Sequence, residues 1–273
     1  MPATRLTAHA VEKPWGRHIL WPGFADPAPE AAPVGEIWFQ GGQADAPLLV
    51  KYLFTGAPLS IQVHPDDAPA RAAGHQHGKD EAWLVLAARP DSVIALGPAR
   101  PTTAEALRAA ARAGRIAGLL DWRAVKAGDL FYSPAGTIHA IGPGITLIEV
   151  QQNADLTYRL HNYDRPRPLQ IEAGIAASNL RPLAEPPTPQ IRSDRRTILI
   201  EGPQFVLERW SAGTHDAGPG DRPGWFIPIG GGGTIDGQAW RGGECWMTQG
   251  KTRIVLNPGG DALFAYPGTE ALE

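Results

Sequence analysis

The 273-residue sequence holds one cysteine, Cys245, and two methionines. A lone thiol excludes an internal disulfide framework and fits a reducing compartment. Neither sign of charge is in excess: 25 basic against 28 acidic side chains leave a net charge of -3. That balance favours neither nucleic acid nor an anionic membrane as a partner. No stretch approaches the roughly 18–20 apolar residues that span a bilayer. The opening Met1-Pro2-Ala3-Thr4-Arg5-Leu6 lacks the long apolar run of a secretory signal. These absences predict a cytoplasmic protein with no nucleic-acid or membrane partner.

What is present points to β structure. Hydrophobic residues are 43% and charged residues 19%, enough to build a core. Glycine (32) and proline (27) are abundant, which favours short strands with many turns over a helical bundle. The clearest strand is Leu59-Ser60-Ile61-Gln62-Val63-His64. Leu59, Ile61 and Val63 fall on one face; Gln62 and His64 share the other. Further strands are expected at Val34 to Gln40, Leu48 to Phe54, Glu81 to Ala87, Thr146 to Gln152 and Leu156 to Leu160. The folded part is expected to open at Lys13-Pro14-Trp15-Gly16.

One clear helical stretch interrupts the strands. Thr102-Thr103-Ala104-Glu105 has the form of a capping box with Thr102 as cap. The insertion near 102–120 is expected to break close to Gly114. A proline-rich run from Pro182 to Pro189 reads as a linker. The expected division is therefore 1–185, carrying the chemistry, and 190–273, a smaller β-domain of short strands. In that tail His215 is expected in a Gly/Asp/Pro loop, and the Gly230 to Gly233 run as a hairpin turn, since it lacks the context of a phosphate loop.

Four side chains look ready to meet. Gln62 and His64 lie on one strand, Glu81 heads another, and His139 ends Gly128-x5-Pro134-x-Gly136-x2-His139. Tight turns there would bring His139 onto the start of a strand. A Gln-x-His pair alone is usually structural; four independent donors reverse that balance. His75 and His77 fit a polar loop better than a site. Trp38 and Trp83 fit a core, and Glu36 is evenly balanced between lumen and elsewhere.

The Gly128 to His139 spacing resembles the second motif of the cupin superfamily, with Gly142 where its final Asn is usual. Pro58-Leu-Ser-Ile-Gln62-Val-His64-Pro-Asp-Asp67, Gly78-Lys79-Asp80-Glu81-Ala-Trp83, Lys13-Pro-Trp-Gly16 and Gly35-Glu-Ile-Trp38 resemble the type I mannose-6-phosphate isomerases. Gln151-Gln-Asn153-Ala-Asp155-Leu-Thr157-Tyr158-Arg159-Leu160 is similar to that family's catalytic arginine segment. The resemblance runs from about residue 11 to about 178. It implies the shorter bacterial form: mainly β, two cupin (jelly-roll β-barrel) domains with a small helical insertion.

The resemblance also implies one Zn²⁺ per chain, held by Gln62, His64, Glu81 and His139. Mn²⁺, Fe²⁺ and Ni²⁺ suit the same N/O donors. It places Lys79 and Arg159 as catalytic residues, and Lys79, Asp155 and Arg159 on the substrate. The family's usual Tyr-Asp after the arginine segment is His161-Asn162 here, so no carboxylate is expected at 162. The implied activity is interconversion of mannose 6-phosphate and fructose 6-phosphate through a cis-enediol. Lys79, Asp155 and a metal-bound water remain open as the base. The rival readings are a cupin enzyme of another reaction class, such as an iron oxygenase, and a non-catalytic sugar-phosphate-binding bicupin. Monomer and homodimer both remain open.

Overall fold

A computed structural model of the chain describes residues 3–41, 45–185, 188–217 and 222–272. Pro186 and Pro187, within the expected linker, lie outside the described residues. The structure is mainly β, as expected, and its strands form three sheets.

The middle layer is a six-stranded antiparallel sheet. Its spatial order is Thr7–Arg17, Val34–Gln40, Leu48–Phe54, Ile145–Gln152, Glu81–Ala88 and Leu130–Ser133. Successive side chains of a strand point to opposite faces, and directly paired residues share a face. Trp38 pairs with Lys51, Lys51 with Glu149, and Glu149 with Trp83, so these four form one row across the sheet. Their neighbours Ile37, Val50, Tyr52, Ile148, Ala82 and Leu84 face the other way. There they join one core with Ile200, Phe205, Leu207, Trp225, Ile227 and Leu263 from the C-terminal part of the chain.

Over the polar row lies a five-stranded sheet in the order Tyr158–His161, Ile61–Val63, His139–Ile141, Val93–Pro98 and Leu120–Ala124. The two sheets close a cupin-like barrel around Trp15, Leu53, Trp83, Val85, Leu96 and Leu147. The alternation at 59–64 is present, although ladder pairing is confined to Ile61–Val63, with Pro65 just beyond it.

The helical insertion is found as Ala104–Arg112 followed by a 3-10 turn at Ile116–Leu119, with the break at Gly114. Its cap is Thr103, not Thr102: the Thr103 hydroxyl accepts the Ala106 N–H at 3.2 Å. Thr102 belongs to the preceding extended segment, where its N–H donates to the Leu180 carbonyl at 2.9 Å. Thr103→Ala should therefore destabilise the protein by about 1 kcal/mol in chemical denaturation, while Thr102→Ala changes little.

A helix at Ile171–Ala177 was not expected from the sequence. It packs where a Cβ on Gly174 would come within 2.6 Å of Leu160 Cδ2, so only glycine lets the helix lie this close to the Tyr158–His161 strand.

The third sheet has nine strands and holds most of the chain after Gln190. The folded part starts well before Lys13: Thr4 and Arg5 pair with Met247 and Trp246 in this sheet. Where the tail was expected to hold only short strands, Thr252–Pro267 is a single strand of 16 residues. It bends, and the sheet curls over a core of Val206, Trp210, Phe226, Trp240, Ile254 and Phe264. The glycine run is the inner corner of that curl rather than a hairpin. Pro223–Gly230 and Gly232–Ile235 both pair with Thr252–Pro267, on either side of Gly231 at φ 83°. His215 lies on the strand Phe205–Ala217, not in a loop. Its ring stacks on Trp210 at 4.6 Å, and its Nε2 meets the Ser211 carbonyl at 2.8 Å, so packing accounts for it. Among the described residues no helix is long and apolar enough to cross a membrane.

Candidate metal centre and substrate cavity

The barrel encloses a cavity of about 630 Å³, and its lining residues all fall between Lys13 and Gln170. Two sheets supply its donors. In the five-stranded sheet, Arg159 pairs with Gln62 and Gln62 with His139, so the three stand in one row. His64 follows two residues after Gln62. From the facing sheet comes Glu81, paired with Gln151 and Ser133.

The structure brings Gln62, His64, Glu81 and His139 together. The donor atoms of His64, Glu81 and His139 lie within 4.8 Å of one another, and all three residues are buried. His64 Nε2 is 3.2 Å from Glu81 Oε1, and His139 Nε2 is 3.6 Å from Oε2. Each ring is oriented from behind. His64 Nδ1 donates to the Leu156 carbonyl at 2.7 Å, and His139 Nδ1 to the Thr137 carbonyl at 2.9 Å. A carbonyl can only accept, so both Nε2 atoms present lone pairs inward. Burial, reinforced by the Lys79 charge, depresses the His64 pKa to about 3; burial also lowers that of His139. Both are therefore neutral imidazoles at neutral pH.

The Gln62 amide completes the set. Its Nε2 lies 3.2 Å from His139 Nε2 and 3.5 Å from His64 Nε2, and its Oε1 accepts from the Ser60 hydroxyl at 2.9 Å. A half-turn of the amide exchanges its ends, and the Ser60 hydroxyl can partner either one. Glu81 gives the sharpest test of whether a cation fits. Both of its oxygens are buried and lack a hydrogen-bond donor. Lys79 Nζ approaches Oε1 to 2.7 Å, an ion-pair distance, but off the angle of a hydrogen bond. Burial alone would raise the Glu81 pKa, yet the Lys79 ammonium beside it holds it well below the usual carboxylate range. Two inward imidazole lone pairs, one amide and an ionised, under-bonded carboxylate fit a divalent metal ion.

Lys79 reaches the cluster, 3.4 Å from His64 Nε2. Arg159 lines the cavity half-buried, with Asp155 as its opposing charge at the exposed rim. His75 and His77 are not among the lining residues. Asn162 is buried and donates to the Arg165 carbonyl at 3.1 Å, a loop-closing role. Trp83 is fully buried yet lines the cavity; Trp38 lines it half-exposed, and Glu36 lines it as a buried residue.

The polar row behind the cluster was missed. Lys51 Nζ lies 3.0 Å from Glu149 Oε1 and also bonds Gln151, while Trp83 Nε1 donates to Glu149 Oε2 at 3.0 Å. Burial works against the Lys51 charge, but Glu149, Glu36 and Glu81 together raise its pKa. Burial and the nearby Glu81 raise that of Glu149. Lys13 pairs with Glu36 at 3.4 Å, and Lys51 lies 4.8 Å over the Trp38 ring. The available signal was a single charge in each of two apolar strands, Leu48-Leu-Val-Lys51-Tyr-Leu-Phe54 and Thr146-Leu-Ile-Glu149-Val150.

Fold and site define a mainly β, cupin-like protein with a candidate mononuclear metal centre inside its barrel. Comparison with known proteins narrows this class. The chain is 39% identical over 172 residues to the mannose-6-phosphate isomerase of Streptococcus mutans, covering 60% of this chain and 54% of that one. It is 38% identical over 177 residues to the mannose-6-phosphate isomerase ManA of Bacillus subtilis, covering 60% and 55%. The chain thus matches just over half the length of these curated relatives. No family model matches. The solved mannose 6-phosphate isomerase of Bacillus subtilis superimposes with a TM-score of 0.83 at 23% identity, covering 97% of this chain and 99% of that one. A phosphomannose isomerase variant from Salmonella typhimurium gives 0.75 at 16%, covering 98% and 100%. The chain shares the fold of these isomerases from end to end.

Proposed function

We propose that the protein is a metal-dependent aldose–ketose isomerase that interconverts mannose 6-phosphate and fructose 6-phosphate. The observation that carries this reading is the under-bonded Glu81 carboxylate facing the inward lone pairs of His64 and His139, with His139, Gln62 and Arg159 in one row of the opposite sheet. The names of the sequence relatives supply the substrate. Gln62, His64, Glu81 and His139 would hold one ion, and the two-nitrogen, two-oxygen donor set suits zinc. Bound there, the ion would polarise the sugar carbonyl and steady the oxyanion of an enediol.

The rest of the chemistry belongs to side chains. Arg159 holds the phosphate, because a guanidinium offers paired donors to anionic oxygens. Asp155 sets the orientation of Arg159. Lys79, beside Glu81, donates to the sugar oxygens next to the metal centre. We assign the proton moved between C1 and C2 to the Lys51–Glu149 pair. Burial raises the Glu149 pKa, which suits a carboxylate that must take and return a proton. Trp83 and Lys51 hold that carboxylate in place, and the buried surroundings keep bulk water away. The single buried Cys245 fits a cytoplasmic home.

Metal analysis with a coupled isomerase assay tests the reading. One divalent ion per chain is expected. Chelation should abolish turnover of mannose 6-phosphate, and added zinc should restore it. A zinc-loaded protein that leaves mannose 6-phosphate unchanged overturns the assignment.

A further inference from the structure

The loop after the Arg159 strand carries two more arginines that line the same cavity, Arg165 and Arg167. They are built differently. The strand Tyr158–His161 is the edge of its sheet, and the chain leaves it through two consecutive left-handed residues, Tyr163 at φ 51° and Asp164 at φ 58°. Neither is glycine, so the turn is strained and must be held from outside. Arg165 holds it. Its Nε donates to the Asn162 carbonyl at 3.1 Å and its Nη2 to the Pro58 carbonyl at 2.6 Å. Its guanidinium lies 5.5 Å from the centre of the Tyr163 ring. Pro58 lies just upstream of the strand Ile61–Val63, which bears Gln62 and leads into His64, so Arg165 ties the loop to the metal-site strand.

Arg167 is placed two residues on by a tight turn, its N–H donating to the Arg165 carbonyl at 2.7 Å. Its side chain is exposed at the cavity rim. Among the described residues, neither its guanidinium nor that of Arg159 makes a hydrogen bond or an ion pair. The two are close enough to feel each other: burial first, then the Arg167 charge, lowers the Arg159 pKa, and Asp155 alone opposes. Gln170 fixes Arg159 from the far side. Its Oε1 accepts the Arg159 N–H at 3.0 Å, and its own N–H donates to the Arg159 carbonyl at 2.9 Å. Two guanidiniums lining one cavity, with ten uncommitted N–H donors between them, make an anion site.

We propose that Arg159 and Arg167 form a two-armed clamp for the phosphate dianion, that Arg167 sets the preference for phosphorylated over free sugar, and that Arg165 is the positioning residue that bolts the loop in place. This deepens the isomerase reading and rests on it for the identity of the substrate, but the clamp can be tested without turnover.

Inorganic phosphate is titrated calorimetrically into the intact wild-type protein, Arg167→Ala and Arg167→Lys. Loss of one charge-assisted arm should weaken phosphate by about tenfold or more in Arg167→Ala, with the lysine variant between. The KM for mannose 6-phosphate should rise in the same order, and by a larger factor than kcat falls. Phosphate affinity in Arg167→Ala within about twofold of wild type overturns the clamp. Weakened phosphate binding in a series whose wild type does not isomerise mannose 6-phosphate upholds the clamp and overturns the isomerase reading.

Discussion

Glu81→Gln should remove the bound metal and cut turnover of mannose 6-phosphate by more than about a hundredfold. Groups that merely support metal ligands are worth about 10–100-fold, and Glu81 is a ligand itself in the proposed centre. The substitution keeps the shape of the side chain but deletes the one anionic donor. The remaining ligands, Gln62, His64 and His139, are all neutral. It also strips the ion-pair partner from Lys79, whose side chain is only 7% exposed. Elemental analysis, a coupled assay and thermal melting read the three consequences separately. A metal-replete variant with near wild-type turnover would sink the proposed ligand set. His139→Ala should match it in metal content while keeping the Lys79–Glu81 pair.

The second large effect is expected behind the metal centre. Lys51→Met should cost about 3–5 kcal/mol in chemical denaturation, because Glu149 would keep a buried charge with Trp83 Nε1 as its remaining partner. Pairing it with Glu149→Gln should recover much of that loss, since the double variant buries no unpaired charge. Activity should not recover, because the proton-transfer pair is gone in both. A double-mutant cycle measures the coupling. Additive stability effects, or a double variant that turns over normally, would contradict the role assigned to the pair.

How much of this was legible in the sequence depended on pattern against background. Gln62 and His64 stood out because they share one face of a strand whose other face is apolar. His139 stood out because glycine and proline fix the turns before it. Lys51 did not. Its neighbours on both sides are apolar, so the period-two signal is lost when both faces of a strand are covered. The Ile171–Ala177 helix is short and rich in alanine, with a glycine set by contact with Leu160 rather than by local preference. The sequence around Gly231 suggests a hairpin because turn chemistry is local, while the shared partner strand Thr252–Pro267 lies distant in sequence. Thr102 and Thr103 are chemically alike; the backbone bond from Thr102 to Leu180, a tertiary contact, decides between them.

The six-stranded sheet does two jobs at alternate positions. Lys51 faces the cavity while Val50 and Tyr52 face the C-terminal sheet; Glu149 does the same between Ile148 and Val150. Cavity wall and hydrophobic interface are therefore written in the same strands, one residue out of phase. A single-residue insertion or deletion in such a strand would exchange the two faces, putting charge into the apolar interface and valine into the cavity. Two-residue changes keep the phase. Drift in the length of these strands is thus confined to even steps, and the parity of the strand, more than the identity of any one side chain in it, is what the two halves of the molecule hold in common.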